Sequence, residues 1–183
     1  MDNFGIDVYL NNTKVNMKQD LDDNWKIDHN FIKTGKYTFC IVFNETIEDM
    51  EGFFGNCPNL ISLDFQTLIR LMLLQCELCL INSKKLKEIN GLDKLITSNL
   101  IEMEGMFQEC EEIESLDLSN FDTSNVTNMA FLFNNCNNLK EIKGLNNFIT
   151  TKVTDFQSMF QWCFKLEYID LLSFDTSNVV NMD

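Results

Sequence analysis

The cysteines are the first residues in this sequence whose chemistry stands out, because thiolates bind metal ions and exchange disulfides. Cys76-x-x-Cys79 has the spacing of zinc and redox motifs, but no second ligand pair follows at the spacing that a zinc site needs. The seven cysteines are Cys40, Cys57, Cys76, Cys79, Cys110, Cys136 and Cys163. This odd number, in a chain without a recognisable export signal at Met1, favours free thiols in a reducing compartment. We therefore predict no metal site.

The single histidine and the carboxylates offer little further chemistry. No nucleophile or carboxylate constellation is recognisable around His29, and neither a phosphate-binding glycine loop nor a G-x-S-x-G elbow occurs. Asp20-x-Asp22-x-Asn24 begins like a calcium-binding EF-hand loop, but Trp25 replaces the required glycine and Phe31 the required glutamate. A run of acidic residues that could bind calcium, or more simply form a solvated loop, consists of Glu109, Glu111, Glu112 and Glu114. The sequence therefore predicts a protein that is not an enzyme and has no cofactor.

The composition limits the partners that the protein can take. Its 183 residues include 28 acidic and 14 basic side chains, so the formal net charge is −14. An acidic surface repels phosphate groups, and we expect neither nucleic acid nor an anionic membrane surface as a partner. The most apolar window, residues 68–81, is interrupted by charged side chains and is shorter than a membrane span. We expect no membrane insertion and an intracellular location, in the cytoplasm or within a large assembly, or the cell surface if the native N-terminus differs.

A sequence repeat relates most of these residues to one another. Apolar residues recur at fixed offsets from positions 50, 76, 103, 129, 156 and 182, at steps of 26, 27, 26, 27 and 26 residues. We name the five units that begin at the first five positions repeats one to five; a sixth is truncated. Each even-numbered repeat has one additional residue and a glycine, Gly91 or Gly144, which suits a bulge or a tight bend.

The repeat also predicts the environment of the cysteines. Cys57, Cys110, Cys136 and Cys163 share one repeat position, so we predict small buried side chains stacked on one another. The alternative is a metal or redox ladder. Oxidation of neighbouring cysteines would require Cα atoms within roughly 4.4–6.8 Å of each other.

Periodicity divides each repeat into segments. Val126, Met129, Leu132 and Phe133 follow one another at three- and four-residue spacing, which predicts one to two helical turns. Residues 116–118 alternate between apolar and polar, which predicts a short strand, and the polar stretch 119–125 would turn the chain. A unit this small cannot bury its apolar side alone. Stacked copies can, and they predict a repeat solenoid with a parallel β ladder roughly 20 Å long.

The repeat resembles the BspA-like leucine-rich repeat family, whose unit reads M-x-x-M-F-x-x-C-x-x-L-x-x-L-D-L-S-x-F-D-T-S-N-V-x-x-M. Residues 103–129 match this pattern almost throughout, and the resemblance extends over residues 47–183. Repeat two departs most, with Cys76 and Cys79 at the methionine positions and Ser83 at the cysteine position. The resemblance implies a leucine-rich-repeat-like α/β solenoid with short helical turns. It also implies a non-enzymatic protein that presents a repeat surface to other macromolecules, often as a bacterial surface adhesin or lipoprotein.

The strand positions that alternate with the inward leucines are expected to face outward. One outward row contains Asp64, Asn90, Asp117, Lys143 and Asp170. The row beside it contains Ser62, Glu88, Ser115, Glu141 and Tyr168. These ten residues are the candidate protein-binding face, an acidic stripe suited to a basic partner. The alternative is ordinary solvated strand surface, with the Lys143 charge offsetting its neighbours.

The two ends of the chain lead to different expectations. Residues 1–46 do not follow the repeat, and we predict a small β cap with a hairpin of strands 6–10 and 13–17 around Asn11-Asn12. A further strand is expected at residues 37–43, after a turn at Gly35. Residues 47–183 would form the solenoid. Its end at Asp183 should be covered by a partner or by further repeats, because an open end exposes an apolar edge.

These features predict a protein–protein interaction or scaffold module, acting as an assembly subunit inside a cell. The alternative is a cell-surface adhesin or lipoprotein fragment whose export signal lies outside this chain.

Overall fold

The computed structural model divides the chain into two compact units, Met1–Thr46 and Ile47–Asp183. The residues that it describes are 6–10, 13–15, 17–19, 25–27, 39–43, 55–65, 71–72 and 79–183. Among them, no helix has the length and apolar composition that crossing a bilayer requires.

The first unit is built from antiparallel strands. They are β1 (Ile6–Leu10), β2 (Thr13–Val15), β3 (Met17–Gln19), β4 (Trp25–Ile27) and β5 (Phe39–Phe43). β1 pairs with β2, Val8 opposite Val15, so the predicted pairing of these two segments is confirmed, although β2 ends two residues before position 17. β5 pairs with the other edge of β1, and β3 pairs with β4. The expected turns at Asn11-Asn12 and Gly35 lie outside the described residues, and the capping role of this unit stays a prediction.

The second unit contains short parallel strands from successive repeats. They are β6 (Ser62–Asp64), β7 (Leu71–Met72), β8 (Glu88–Asn90), β9 (Leu95–Ile96), β10 (Ser115–Asp117) and β11 (Glu141–Lys143). β6 pairs with β8 and β10 with β11, each strand in register with the equivalent residues of the next repeat. β7 also pairs with β9 in parallel, but with Leu71 opposite Leu95, a register of 24 residues. The described strands thus pair two by two every 53 residues. They do not form the continuous ladder that we predicted.

The repeats are nevertheless joined continuously along a second line of contacts. Parallel bridges link Glu102 to Asn128, Asn128 to Asp155 and Asp155 to Asn181. This line runs through the last residue of each repeat, just before the segments for which the spacing predicted helical turns.

Those segments form consecutive tight turns instead, and the described residues contain no α-helix. In repeat three, alternate N–H groups from Met103 to Glu109 donate to alternate carbonyls from Asn128 to Asn134, at and beyond the boundary with repeat four, at 2.9–3.0 Å. Two N–H groups that lie between them close turns within their own repeat: Met106 donates to Met103 at 3.3 Å, and Gln108 donates to Gly105 at 3.0 Å. An α-helix would use all of these groups internally. The helical-turn prediction is wrong here because turns also bring residues three and four apart onto one side.

Left-handed backbone conformations make this alternation possible. In repeat four, φ is 57° at Phe131 and 62° at Asn135, and in repeat five it is 51° at Ser158 and 64° at Trp162. These residues lie within the turns whose alternate N–H groups donate to the neighbouring repeat. Side chains other than glycine adopt them at a cost, which the hydrogen bonds between repeats offset.

The inserted glycines behave as the sequence predicts. Gly91 and Gly144 have φ of 77° and 90°, and each precedes a short 3-10 helix, Leu92–Lys94 or Leu145–Asn147. A Cβ on Gly144 would lie 2.5 Å from the Cα and N atoms of Ser119 in the preceding repeat. Only glycine therefore fits where repeat four turns against repeat three.

The apolar residues of the repeats form one buried core. The rings of Phe107 and Phe133 stack with centroids 5.7 Å apart, and those of Phe133 and Phe160 with centroids 5.5 Å apart. Leucines, methionines and valines at the other repeat positions surround this column. Stacking of equivalent residues gives each repeat the buried surface that it could not form alone.

Candidate interaction surface

The ten residues of the candidate protein-binding face lie on the outside of the repeats. Nine of them are exposed and Asp170 is half-buried, while Leu116, between Ser115 and Asp117, is buried in the core. Alternation along a strand explains this orientation, because neighbouring side chains point to opposite sides. The outward direction predicted for these rows is therefore correct, and their role in binding stays a prediction.

The structure brings eight of the ten residues together in two groups. Pairing of β6 with β8 places Ser62 beside Glu88 and Asp64 beside Asn90. Pairing of β10 with β11 places Ser115 beside Glu141 and Asp117 beside Lys143. Tyr168 and Asp170 lie in repeat five, where no strand forms. The face therefore consists of two paired patches and a separate segment.

The aspartates of the face also shape the backbone. The Asp117 carboxylate accepts the N–H of Ser119 at 3.1 Å, and Asp170 accepts the N–H of Leu172 at the same distance. Hydrogen bonds from the Ser119 side chain and backbone, and the nearby Lys143 charge, lower the pKa of Asp117. The Asp117 carboxylate is thus charged and fixed in position at neutral pH. The nearby Lys143 ammonium group partly offsets its charge.

The polar stretch after the strand is mainly structural. Asp122 and Asp175, one repeat position, accept the N–H groups of Ser124 and Ser177 at 3.0 and 2.9 Å, and these serines lower the pKa of both carboxyls. Asn125 donates its side-chain N–H to the backbone of the preceding repeat. The sequence indicated such capping, but the caps close turns rather than helices.

Buried threonines in the same stretch join successive repeats. The Thr150 hydroxyl donates to the Asp175 carbonyl at 3.0 Å and accepts the Asp175 N–H at 2.7 Å. Thr123 makes the equivalent pair of bonds with Ile149. Each hydroxyl replaces a backbone partner that the chain lacks at this point, which prevents unpaired polar groups from being buried.

The acidic run is neutralised by lysines of the neighbouring repeats. Lys84 contacts Glu109 and Glu111 at 3.3 and 2.9 Å. Glu112 pairs with Lys87, and Glu114 pairs with Lys140, which lowers the pKa of Glu114. Within the part of the chain that the structure describes, no group of three or more His, Cys, Asp or Glu side chains could hold a metal ion.

The cysteines of the shared repeat position are hydrogen-bonded as well as buried. The thiols of Cys110, Cys136 and Cys163 donate to carbonyls of Leu80, Phe107 and Phe133 in the preceding repeats. Burial raises the pKa of Cys110 to about 12 and that of Cys163 to about 11, and it also raises the pKa of Cys136. These thiols are therefore protonated at neutral pH, which lowers their reactivity.

Two cysteines depart from the expectations. Cys57 is exposed, so the prediction of burial is wrong for this member of the repeat position. Cys79 is disulfide-bonded, so the prediction that all thiols are free is wrong as well. Cys57, Cys110, Cys136 and Cys163 have free thiols. Spacing alone could not reveal the disulfide, because a pairing depends on Cα–Cα distances.

Sequence reasoning missed a group of large apolar side chains on the outside of repeat five. Trp162, Phe164, Tyr168 and Leu172 are exposed, and only Tyr168 was identified as a candidate. Comparison of outward positions between repeats would have found the other three. Repeat five also has an apolar recess of about 330 Å³, lined in part by Phe156, Met159, Phe160, Leu171, Phe174 and Met182.

These observations define a class of proteins made of tandem 26- and 27-residue repeats. Backbone hydrogen bonds and the stacking of buried side chains join each repeat to the next. The chain belongs to the family described as "Mycoplasma protein of unknown function, DUF285", whose profile matches residues 79–183, more than half of its length. No curated protein and no solved structure matches the chain.

Proposed function

We propose that this protein is a non-enzymatic interaction or scaffold module inside the cell, in which BspA-like leucine-rich repeats stack as a solenoid. Its outward strand rows would bind a basic protein partner. The observation that supports this most is that inward and outward positions of each repeat have different roles. Backbone groups and inward side chains join one repeat to the next, while the outward positions are exposed and vary in residue type. The surface can thus be adapted to a partner without changing the core.

Charge provides the selectivity of such a face. Asp64, Glu88, Asp117, Glu141 and Asp170 give it five carboxylates against the single ammonium group of Lys143. Opposite charges steer partners together and exclude those of like charge, which contributes more to association rate and specificity than to affinity. A partner with a row of lysines or arginines fits this pattern.

The test removes the charges and keeps the turns. Asp64→Asn, Asp117→Asn and Asp170→Asn together retain a side-chain carbonyl that can accept the N–H groups of Ser119 and Leu172. After the partner is isolated with the native protein and identified, titration of the purified pair should show at least tenfold weaker binding and a smaller dependence on salt.

A charge-matched control separates this face from general electrostatics. Glu109→Gln, Glu111→Gln and Glu112→Gln also remove three charges, on the acidic run. Equal affinities for the wild-type protein and the Asp-to-Asn variant would exclude the strand rows as the binding face. Equal losses of affinity in the two variants would mean that the strand rows contribute to binding only through the net charge of the protein.

The Cys79 disulfide favours the second candidate function, a cell-surface adhesin or lipoprotein. Disulfides persist in oxidising compartments and are rare in the cytosol. Because Cys79 is buried, the freshly isolated native protein is unfolded in urea and alkylated with and without prior reduction, which distinguishes the two functions. Cys79 modified only after reduction supports the surface protein. Cys79 modified without reduction supports the intracellular module.

A further inference from the structure

Repeat five presents large apolar side chains outward, at positions that a folded repeat does not need to make apolar. The exposed fractions are 53% for Trp162, 76% for Phe164, 77% for Tyr168 and 95% for Leu172. We name these four residues the aromatic patch.

The equivalent positions of repeats three and four are polar. Trp162 corresponds to Glu109 and Asn135, and Phe164 to Glu111 and Asn137. Tyr168 corresponds to Ser115 and Glu141, and Leu172 to Ser119 and Asn146. Repeats three, four and five share their pattern of inward residues, so this difference in residue type is confined to the surface. Packing within the repeat therefore does not explain the aromatic patch.

Stacking of another repeat does not explain it either. Repeats three and four are each followed by a further repeat, yet Ser115, Glu141, Ser119 and Asn146 are exposed. Asn135 and Asn137 are half-buried under the repeat that follows them. Tyr168 and Leu172 would thus stay accessible beneath any additional repeat, and Trp162 and Phe164 would stay partly accessible.

The backbone at Trp162 gives independent support. Its φ of 64° is left-handed, and three of the four equivalent residues, Asn56, Asn82 and Asn135, are of the type that tolerates this region best, whereas the fourth is Glu109. A bulky tryptophan is disfavoured there. Its presence points to a role of the side chain rather than of the backbone.

We propose that the aromatic patch anchors a protein partner. The patch would insert into an apolar recess on the surface of the partner, and lysine or arginine side chains of the partner would border that recess. This deepens the proposed function and rests on it. Eleven consecutive residues hold the patch, so it extends over at most roughly 35 Å at about 3.4 Å per residue. A standard interface of roughly 800 Å² per partner has a similar width. Trp and Tyr are also the residues that most often dominate binding energy.

The surroundings of the patch select this kind of partner. Two of the three charged side chains between its members already have internal bonds: Lys165 donates to Asn138 at 2.6 Å, and Asp170 accepts the N–H of Leu172. Few hydrogen-bonding groups remain that could bind the hydroxyls of a glycan. A second copy of the chain would bring its own net charge of −14 against Glu167 and Asp170, whereas a basic border complements them.

Photo-crosslinking in the cells that make the protein tests the proposal. The photoreactive amino acid p-benzoylphenylalanine replaces Phe164 in the full chain, and Asn137 in a control chain that places it at the same position of repeat four. We expect crosslinks from position 164, and not from 137, to one segment of a partner with apolar residues flanked by lysine or arginine. A crosslink to a second copy, to a glycan, to an acidic segment or to nothing overturns the proposal.

Binding of the purified pair completes the test. The combined substitutions Trp162→Asn, Phe164→Asn, Tyr168→Ser and Leu172→Ser introduce residues found at the same positions of repeats three and four, so the fold should persist and the net charge is unchanged. We expect at least 100-fold weaker binding than for the wild-type protein, and no change for Asn146→Ser. A change of less than threefold, in a variant whose unfolding midpoint matches the wild type, overturns the proposal.

The charge variant of the strand rows separates the two proposals. Loss of binding in the aromatic-patch variant alone would retain the patch and reject the acidic rows. Loss in the Asp64→Asn, Asp117→Asn, Asp170→Asn variant alone would retain the rows and reject the patch.

Discussion

Repeats four and five share an inward pattern and differ in almost everything else. Both have an apolar residue at each inward position and a cysteine thiol that donates to the preceding repeat. Repeat four is largely buried between its neighbours, contains the inserted Gly144 and has amide side chains outside. Repeat five lacks the insertion, exposes a larger part of its residues and has aromatic side chains outside.

The difference shows which positions the fold requires. An inward residue contacts its equivalents in the two adjacent repeats, so its type is fixed by stacking. An outward residue contacts little of the core, and its type is open to selection by a partner. Paired substitutions test this division. They compare a buried with an exposed phenylalanine, the inserted glycine with another left-handed glycine, and a buried with an exposed threonine.

The largest effect is expected from the stacked phenylalanine of repeat four. Phe133→Ala leaves a cavity between the rings of Phe107 and Phe160, and we expect a loss of about 3–5 kcal/mol in the free energy of unfolding. Urea denaturation measures this loss. The control is Phe164→Ala in repeat five, which should change stability by less than about 0.5 kcal/mol. Similar losses for both would contradict the division.

The insertion of repeat four should tolerate no side chain. Gly144→Ala forces a Cβ against the Ser119 backbone at a φ of 90°, and the combined overlap and strain should cost about 3 kcal/mol. Thermal unfolding measures the change. Gly105→Ala, also left-handed, should cost less than about 1 kcal/mol, because Phe131 and Ser158 occupy the same repeat position with side chains. A tolerated Gly144→Ala would show that repeats three and four can move apart.

The threonine hydroxyls should matter in proportion to their burial. Thr150→Val removes two hydrogen bonds between this buried hydroxyl and the Asp175 backbone, which should cost about 1–3 kcal/mol. Denaturation of the exposed equivalent, Thr176→Val, should reveal almost no loss. An equal loss at both positions would mean that repeat five is covered in solution.

The smallest effects are expected at the thiols. Burial raises the pKa values of Cys136 and Cys163, so both bind a proton more tightly in the folded than in the unfolded protein. Their contribution to stability is complete below the unfolded value of about 8.5 and is lost as the pH rises toward the folded pKa. Denaturation from pH 8 to 11 should follow this decline, and Cys136→Ser should flatten it.

Alkylation rates give a direct comparison of the two thiols. At pH 8, iodoacetamide should modify the half-buried Cys163 faster than the buried Cys136, and the exposed Cys57 faster than either. Faster reaction of Cys136 would contradict its placement between repeats four and three.

The sequence by itself determined the features that depend on periodicity. The repeat phase identified the inward apolar positions, and alternation within the strands identified Asp117 and its equivalents as outward residues. It also located the inserted glycines at which the chain bends, and it predicted the pairing of β1 with β2. Each of these follows from residue types a few positions apart, which local geometry translates into a face or a turn.

Only the tertiary structure decided where the hydrogen bonds go. Three- and four-residue spacing suits both helices and consecutive turns, and the choice depends on whether alternate N–H groups find carbonyls in the next repeat. The pairing of Lys84 with Glu109, the thiol bond of Cys136 and the two-by-two pairing of the strands depend on the same neighbours. These contacts join residues about 26 positions apart, a distance over which local sequence preference has no influence and stacking of whole repeats decides.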